Sequence, residues 1–338
     1  MNERSPGTGA NAPRRPGHLP PGAIAATALA ATLAAPAALA CSICRCGDPT
    51  FNALGPESHT TAGLHVAADW DRVAKSQGAD HERESMVENR YSASLYYSIS
   101  DRWLVAARLP YAHRSLRVGE HDDGGADEGG DEAHHHGSAR TSGLADPEFS
   151  VQYRVWSAPF EGDVGARASF ALSAGVKTAW GENNRKDAGG ERLDEHVQPG
   201  TGSTDLFFGA SGFYLFDRSS TLFASLQWRD TGRNDSGYHY GRALLANLAY
   251  ERKLVPRLDS VLELNYRHAK RDQADRGGTI EENTGGSMLY LSPRLLFEVG
   301  GGVVLRIGAQ IPVSKSLYGE QNEKTVYNVG VTWGFGPR

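Results

Sequence analysis

From Thr60 to the end of the chain one pattern recurs, about ten residues in which apolar positions alternate with polar or small ones, followed by a connector. A period of two marks a strand whose two faces meet different surroundings. The last repeat is the clearest, with Tyr327, Val329, Val331, Trp333 and Phe335 on one face and Asn328, Gly330, Thr332 and Gly334 on the other. Earlier repeats read alike: Leu64, Val66, Ala68 and Trp70 against His65 and Asp69; Tyr91, Ala93, Leu95, Tyr97 and Ile99 against Arg90, Ser92 and Ser94; Leu262, Leu264 and Tyr266 against Glu263, Asn265 and Arg267.

The connectors alternate between two kinds. Those at 100–102, 157–163, 217–219, 255–258 and 299–301 are short, whereas those at 76–85, 118–142, 181–203, 230–240, 269–285 and 314–325 are longer and polar. A soluble β-sandwich also alternates apolar and polar positions. It would not combine this asymmetry of connectors with tryptophans near strand ends (Trp70, Trp103, Trp156, Trp180, Trp228, Trp333) and charges of both signs on the polar face. The pattern predicts an all-β fold, an antiparallel up-and-down transmembrane β-barrel of about 12 strands closed by pairing of the first and last, with lipid outside and a wet lumen inside.

The N-terminal residues set the compartment. Pro21 to Ala40 is an alanine-rich apolar run preceded by Arg14 and Arg15 and ending Ala38-Leu39-Ala40. That is the form of a cleaved signal peptide, residues 1–40. Beyond it no stretch approaches the roughly 20 apolar residues of a spanning helix, so insertion must use strands. The expected organisation is therefore a signal peptide, a cysteine-containing periplasmic segment at 41–58 able to act as a plug, and a barrel over 59–338 with a His/Asp/Glu-rich extracellular loop at 118–142. The expected location is the outer membrane of a Gram-negative-type bacterium with both termini periplasmic. Expected partners are outer-membrane lipid, the barrel-assembly machinery and a small-molecule solute, with no nucleic acid. The 338 residues, formal net charge of −5 and 40 glycines would suit a soluble protein equally, so composition decides little.

Several phrases taken together are recognisable: RLPYAHR (Arg108 to Arg114), GLADPEFSVQYR (Gly143 to Arg154), GVKTAWGE with VQPGTGSTD (Val197 to Asp205), SGYHYGRALLANLAYER, and LYLSPRLLFEVGGGVVLRIGAQIPV (Leu289 to Val313). In this order the chain resembles, from about Thr60 to Phe335, the outer-membrane family named for a MetA-pathway of phenol degradation. The resemblance implies a barrel for small-solute passage with no catalytic residues. It supplies no substrate, because a family name is not a site.

Three features could carry chemistry. Cys41, Cys44 and Cys46 form C-x-x-C-x-C directly after the cleavage site. They suit a disulfide with one remaining thiol, a soft metal ion, or acylation of Cys41, and the segment could meet a periplasmic redox partner. The loop at 118–142 carries His121, Asp122, Asp123, Asp127, Glu128, Asp131, Glu132 and the run His134, His135, His136, which reads either as a solvated acidic tether or as a ligand set for Zn, Cu, Ni or Co. No cofactor is required by the pattern. On the inward faces Arg90, Arg108, Arg154, Arg167, Lys177, Arg229, Arg267, Arg294 and Arg306 oppose Asp69, Asp71, Glu148, Glu251 and Glu263. That excess favours anionic solutes by electrostatic focusing, while a salt-bridge lattice filling the lumen is the plainer reading.

Enzyme signatures are missing. There is no G-x-S-x-G, H-E-x-x-H or Walker loop, and the wall histidines His65 and His268 have no nucleophile at matching height, so a non-enzyme is expected. Two functional classes remain, a passive channel for small solutes (anionic, aromatic or metal-related) and a metal-binding surface protein anchored by its barrel. Strand facing is testable: Lys at Val329 or Leu264 should be costly, and at Asn265 mild.

Overall fold

The computed structural model describes residues 63–78, 83–118, 138–159 and 166–335. Fourteen strand segments run in chain order: Leu64–Gln77 (β1), Glu84–Ser98 (β2), Trp103–Val118 (β3), Ala139–Leu144 (β4), Glu148–Pro159 (β5), Ala166–Lys177 (β6), Asp205–Asp217 (β7), Ser220–Asp230 (β8), Ala243–Val255 (β9), Leu258–Ala269 (β10), Gly286–Gly300 (β11), Val303–Leu317 (β12), Gln321–Glu323 (β13) and Val326–Phe335 (β14). All neighbours are antiparallel, and β14 pairs with β1 from Leu64↔Phe335 to Arg72↔Tyr327, which closes the sheet.

Two of the segments are halves of interrupted strands. β3 pairs with β4 over Tyr111–Leu116 and with β5 over Trp103–Arg108, and β1 pairs with β13 above its contact with β14. Counted as staves, the barrel has twelve strands. Ala139–Ser142 lies within the stretch that the hydropathy pattern assigns to a connector. Its sequence, ARTS, has no apolar face because this part of the wall stands beyond the lipid, where backbone pairing alone defines a strand.

The outward face is apolar as a lipid-facing wall requires. Leu95, Leu109, Phe170, Leu172, Phe208, Leu226, Leu248, Leu264, Leu295, Ile307 and Val329 are all exposed. Aromatic residues bound this band. Trp103, Trp156, Trp333 and Phe335 lie toward the short turns, and Tyr111, Tyr91 and Trp70 form a cross-strand row at the other limit. Trp103 to Tyr111 spans nine residues of β3, the length of a tilted transmembrane strand. Above that row the outward positions of β1 to β3 turn polar, with Arg72, Asn89, His113 and Arg117. Trp70 is thus at the edge of the lipid band although it is in the middle of its strand.

Connectors sort by barrel end. At one end they are tight; at Gly301-Gly302 both residues have positive φ (65° and 83°), the two-residue hairpin geometry that matches strand twist and is nearly confined to glycine. At the other end lie the long connectors.

The interior divides into a filled half and an open half. Facing inward from β10 to β14 and β1, long side chains interlock: Arg294 bonds Glu263 (2.8 Å), Arg306 bonds Asp69 (2.7 Å), and Glu323 collects Lys75 (3.2 Å), Arg267 (2.5 Å) and the Tyr290 hydroxyl. From β5 to β9 the inward positions are instead Ser150, Gln152, Ser169, Ala171, Ser173, Gly209, Ser211, Ser225, Gln227 and Asn247. Small residues on one side and large ones on the other displace the free space from the barrel axis toward β5–β9.

Candidate functional site: a roofed cavity in the lumen

The β4–β5 interruption is Ala145-Asp146-Pro147. Proline has no N–H to give the ladder, so pairing stops and Asp146 turns inward, where it is buried. Its Oδ1 accepts the Gly181 N–H (2.9 Å), and its Oδ2 accepts the Thr201 N–H (2.7 Å), the Thr201 hydroxyl (2.6 Å) and the Lys177 ammonium (3.2 Å). Lys177 also pairs with Asp205 (3.0 Å) and donates to Ser203 (3.2 Å). The GLADP, GVKTAWGE and VQPGTGSTD phrases, far apart in sequence, therefore form one polar knot. Gly181 is required there, since a Cβ would stand 2.7 Å from the Ala145 carbonyl carbon and the Asp146 nitrogen.

The knot bends the connector between β6 and β7, residues 178–204, into the barrel. Arg114 of β3 donates to the carbonyls of His196 (2.9 Å) and Gln198, and the Thr141 hydroxyl of β4 donates to that of Val197 (2.5 Å). Glu195, His196, Val197 and Gln198 are all buried. Two further long connectors lock onto them. Asn234 donates to Glu195 (2.9 Å), and the Tyr238 hydroxyl lies 2.8 Å from both His196 Nε2 and Asp272 Oδ2, while His196 Nδ1 lies 2.6 Å from Asp194. The chain of bonds is complete when both imidazole nitrogens donate, to Asp194 and to the tyrosine oxygen, and the tyrosine donates to Asp272.

Charges in this roof are tuned in opposite directions. Burial would push Asp194 up, but attraction and hydrogen bonds from His196 outweigh it and hold its carboxyl below the usual aspartate value. Glu281 is raised, first by burial and then by Asp194, Asp272 and Asp275, with His196 opposing.

Beneath the roof, closed by Pro199, Thr201 and Tyr240, lies a cavity of about 300 Å³. Arg108, Glu148, Lys177 and Asp205 are direct cross-strand neighbours along its wall, and Arg229 reaches Glu148 at 2.8 Å. Among the described residues the lining carries six cationic side chains (Arg90, Arg108, Arg114, Arg154, Lys177, Arg229) and three carboxylates (Asp146, Glu148, Asp205). A fourth carboxylate, Glu88, bonds Arg90 (2.7 Å) and Arg114 (2.9 Å) from behind, which still leaves cations in excess.

The residues singled out from sequence fall in three places. Arg90, Arg108, Glu148, Arg154, Lys177 and Arg229 line the cavity. Glu263, Arg267, Arg294 and Arg306 belong to the filled half, and Arg167 sits exposed at the short-turn rim with its guanidinium 5.4 Å from the Tyr214 ring centroid. Cys41, Cys44, Cys46, His121, Asp122, Asp123, His134, His135 and His136 lie outside the described residues, as do the signal peptide and the 41–58 segment. Among the described residues no group of three or more His, Cys, Asp or Glu side chains is placed to hold a metal ion. Hydropathy reasoning misses the roof residues Asp146, His196, Gln198, Tyr238 and Asp272. The phrases that carry the family resemblance do contain three of them.

Fold and cavity together define a porin-like outer-membrane β-barrel. The chain belongs to the family described as "Putative MetA-pathway of phenol degradation", whose match spans residues 90–322. Among solved structures it is similar to an outer membrane channel from Pseudomonas putida F1, at 12% identity and TM-score 0.62, covering 83% of this chain and 98% of that one. It is also similar to the translocator domain of the autotransporter NalP from Neisseria meningitidis, at 14% identity and TM-score 0.46, covering 84% and 93%. No curated protein matches.

Proposed function

We propose that this protein is an outer-membrane channel for passive passage of small solutes, with a preference for anions, its long connectors extracellular and its termini periplasmic. The observation that carries the reading is the displaced cavity under the inward-bent 178–204 connector, lined by more cations than carboxylates. A connector tied across a barrel narrows the route to small-molecule width, and fixed charges facing a confined aqueous space select ions by sign. Short turns at the end where β1 begins and β14 finishes suit the periplasmic side of such barrels.

Reconstitution of the full chain in planar bilayers under a KCl gradient tests it. Discrete conductance steps with an anion-preferring reversal potential are expected. Silent membranes would remove the channel reading, and a cation-preferring potential would remove the anion preference.

A further inference from the structure

Below the charged belt, the open half of the lumen mixes hydroxyls, carboxamides and one guanidinium with a few aromatic rings. Arg154 and Gln152 of β5 face Ser211 of β7, Ser225 of β8 and Asn247 of β9 around one space. The amides are held in place: Asn247 donates to Ser225 (3.0 Å) and accepts from Asn265 (2.8 Å), which in turn accepts from Ser292 (2.5 Å). This ladder fixes the donor and acceptor positions of the wall before any solute arrives, so that ordering them costs a ligand little. Phe207, Phe213 and Phe223 of the same strands line the same cavity, so rings on which a carbon skeleton can lie stand beside the polar groups.

A wall of hydroxyls, carboxamides and guanidinium matches a solute that carries one negative charge and several hydroxyls. An apolar solute would displace the water on these groups without replacing its hydrogen bonds, and buried polar sites discriminate strongly against ligands that cannot pair with them. We propose that the lumen holds a binding site for small polyhydroxylated carboxylates, sugar acids and similar hydroxy acids, with the carboxylate at Arg154 and the hydroxyls along Gln152, Ser211, Ser225 and Asn247. The proposal rests on the channel reading for its physiological meaning, but its test does not depend on conductance.

Isothermal titration of the detergent-solubilised full chain with gluconate and with hexanoate separates the possibilities, because the two six-carbon acids differ only in their hydroxyls. Hexanoate is corrected for uptake by empty micelles. Gluconate is expected to bind at least roughly tenfold more tightly, the discrimination that unpaired polar groups impose. Arg154→Gln should weaken gluconate by a similar factor, and the paired change Ser211→Ala with Ser225→Ala should erode the preference without loss of the folded barrel, read by its heat-modifiable migration in gels. Equal or tighter binding of hexanoate overturns the proposal, as does the absence of gluconate binding. Gluconate binding by a protein that gives no conductance would uphold this site while removing the channel reading.

Discussion

The carboxylate of Asp146 holds Thr201 twice, accepting its backbone N–H at 2.7 Å and its hydroxyl at 2.6 Å, so that a break in one barrel strand anchors the far end of a connector 55 residues later. Removing that carboxylate should free the roof. Asp146→Ala leaves Lys177 with Asp205 and unties Thr201 and Gly181, and breaking a buried charged network costs about 3 to 5 kcal/mol. The expected outcome is a lower thermal midpoint together with a larger, noisier single-channel conductance. A stable variant with wild-type conductance would show that Asp146 does not hold the connector.

Strand facing gives a second prediction and a correction to the expectation from sequence. Leu264 is 41% exposed between Leu248 and Leu291, so Leu264→Lys should cost about 2 to 4 kcal/mol in lipid, measured by urea unfolding in vesicles. Hydropathy alone makes Asn265→Lys the mild counterpart. The structure places Asn265 at 0% exposure inside the amide ladder, where lysine would break two hydrogen bonds and bury a charge. Gln227, facing the cavity, is the position where lysine should be tolerated.

That difference shows where sequence reading stops. Alternation reports only which side of the wall a residue is on, and it did so for strands inside the lipid band, because lipid demands an apolar face at every second position. It carries no signal for β4, which stands above the band, nor for whether an inward residue such as Asn265 or Gln227 meets neighbours or open space. The inward bend of residues 178–204 is equally silent in hydropathy. It depends on Arg114, Thr141 and Asp146 finding backbone groups up to 84 residues away, and the hint of it in the sequence is that Arg114 and Asp146 lie in phrases that carry the family resemblance.

The two halves of the lumen should respond differently to added bulk. Ser211→Tyr projects into the cavity and should cut conductance severalfold with little effect on stability. Gly330 lies against the ion pair of the filled half, where a Cβ would come within 2.2 Å of Asp69 Oδ1 and 2.9 Å of Arg306 Nη2. Gly330→Ala should therefore destabilise by about 1 to 3 kcal/mol as the 2.7 Å pair is forced apart, and leave conductance per open channel unchanged. The reverse assignment of effects would place the solute route on the wrong side of the barrel.

Acidity should act on the roof through Glu281 and Asp194 with opposite sign. Glu281 has a raised pKa, so its ionised form is disfavoured in the closed roof; that penalty is absent below the ordinary glutamate range and complete once pH exceeds the raised value. Asp194 has a lowered pKa, so its contribution is fully present above the ordinary aspartate range and is lost as pH falls through the lowered value. The roof is consequently firmest in the acidic interval between the two and looser at neutral pH. Hydrogen exchange of the backbone N–H groups of Val197 and Gly200, both bonded within the connector, reads this directly once intrinsic rates are removed. Glu281→Gln should slow exchange at pH 7 and change little at pH 4, whereas Asp194→Asn should speed it at pH 7. Faster exchange in Glu281→Gln at neutral pH would mean that the charge on Glu281 supports the roof rather than strains it.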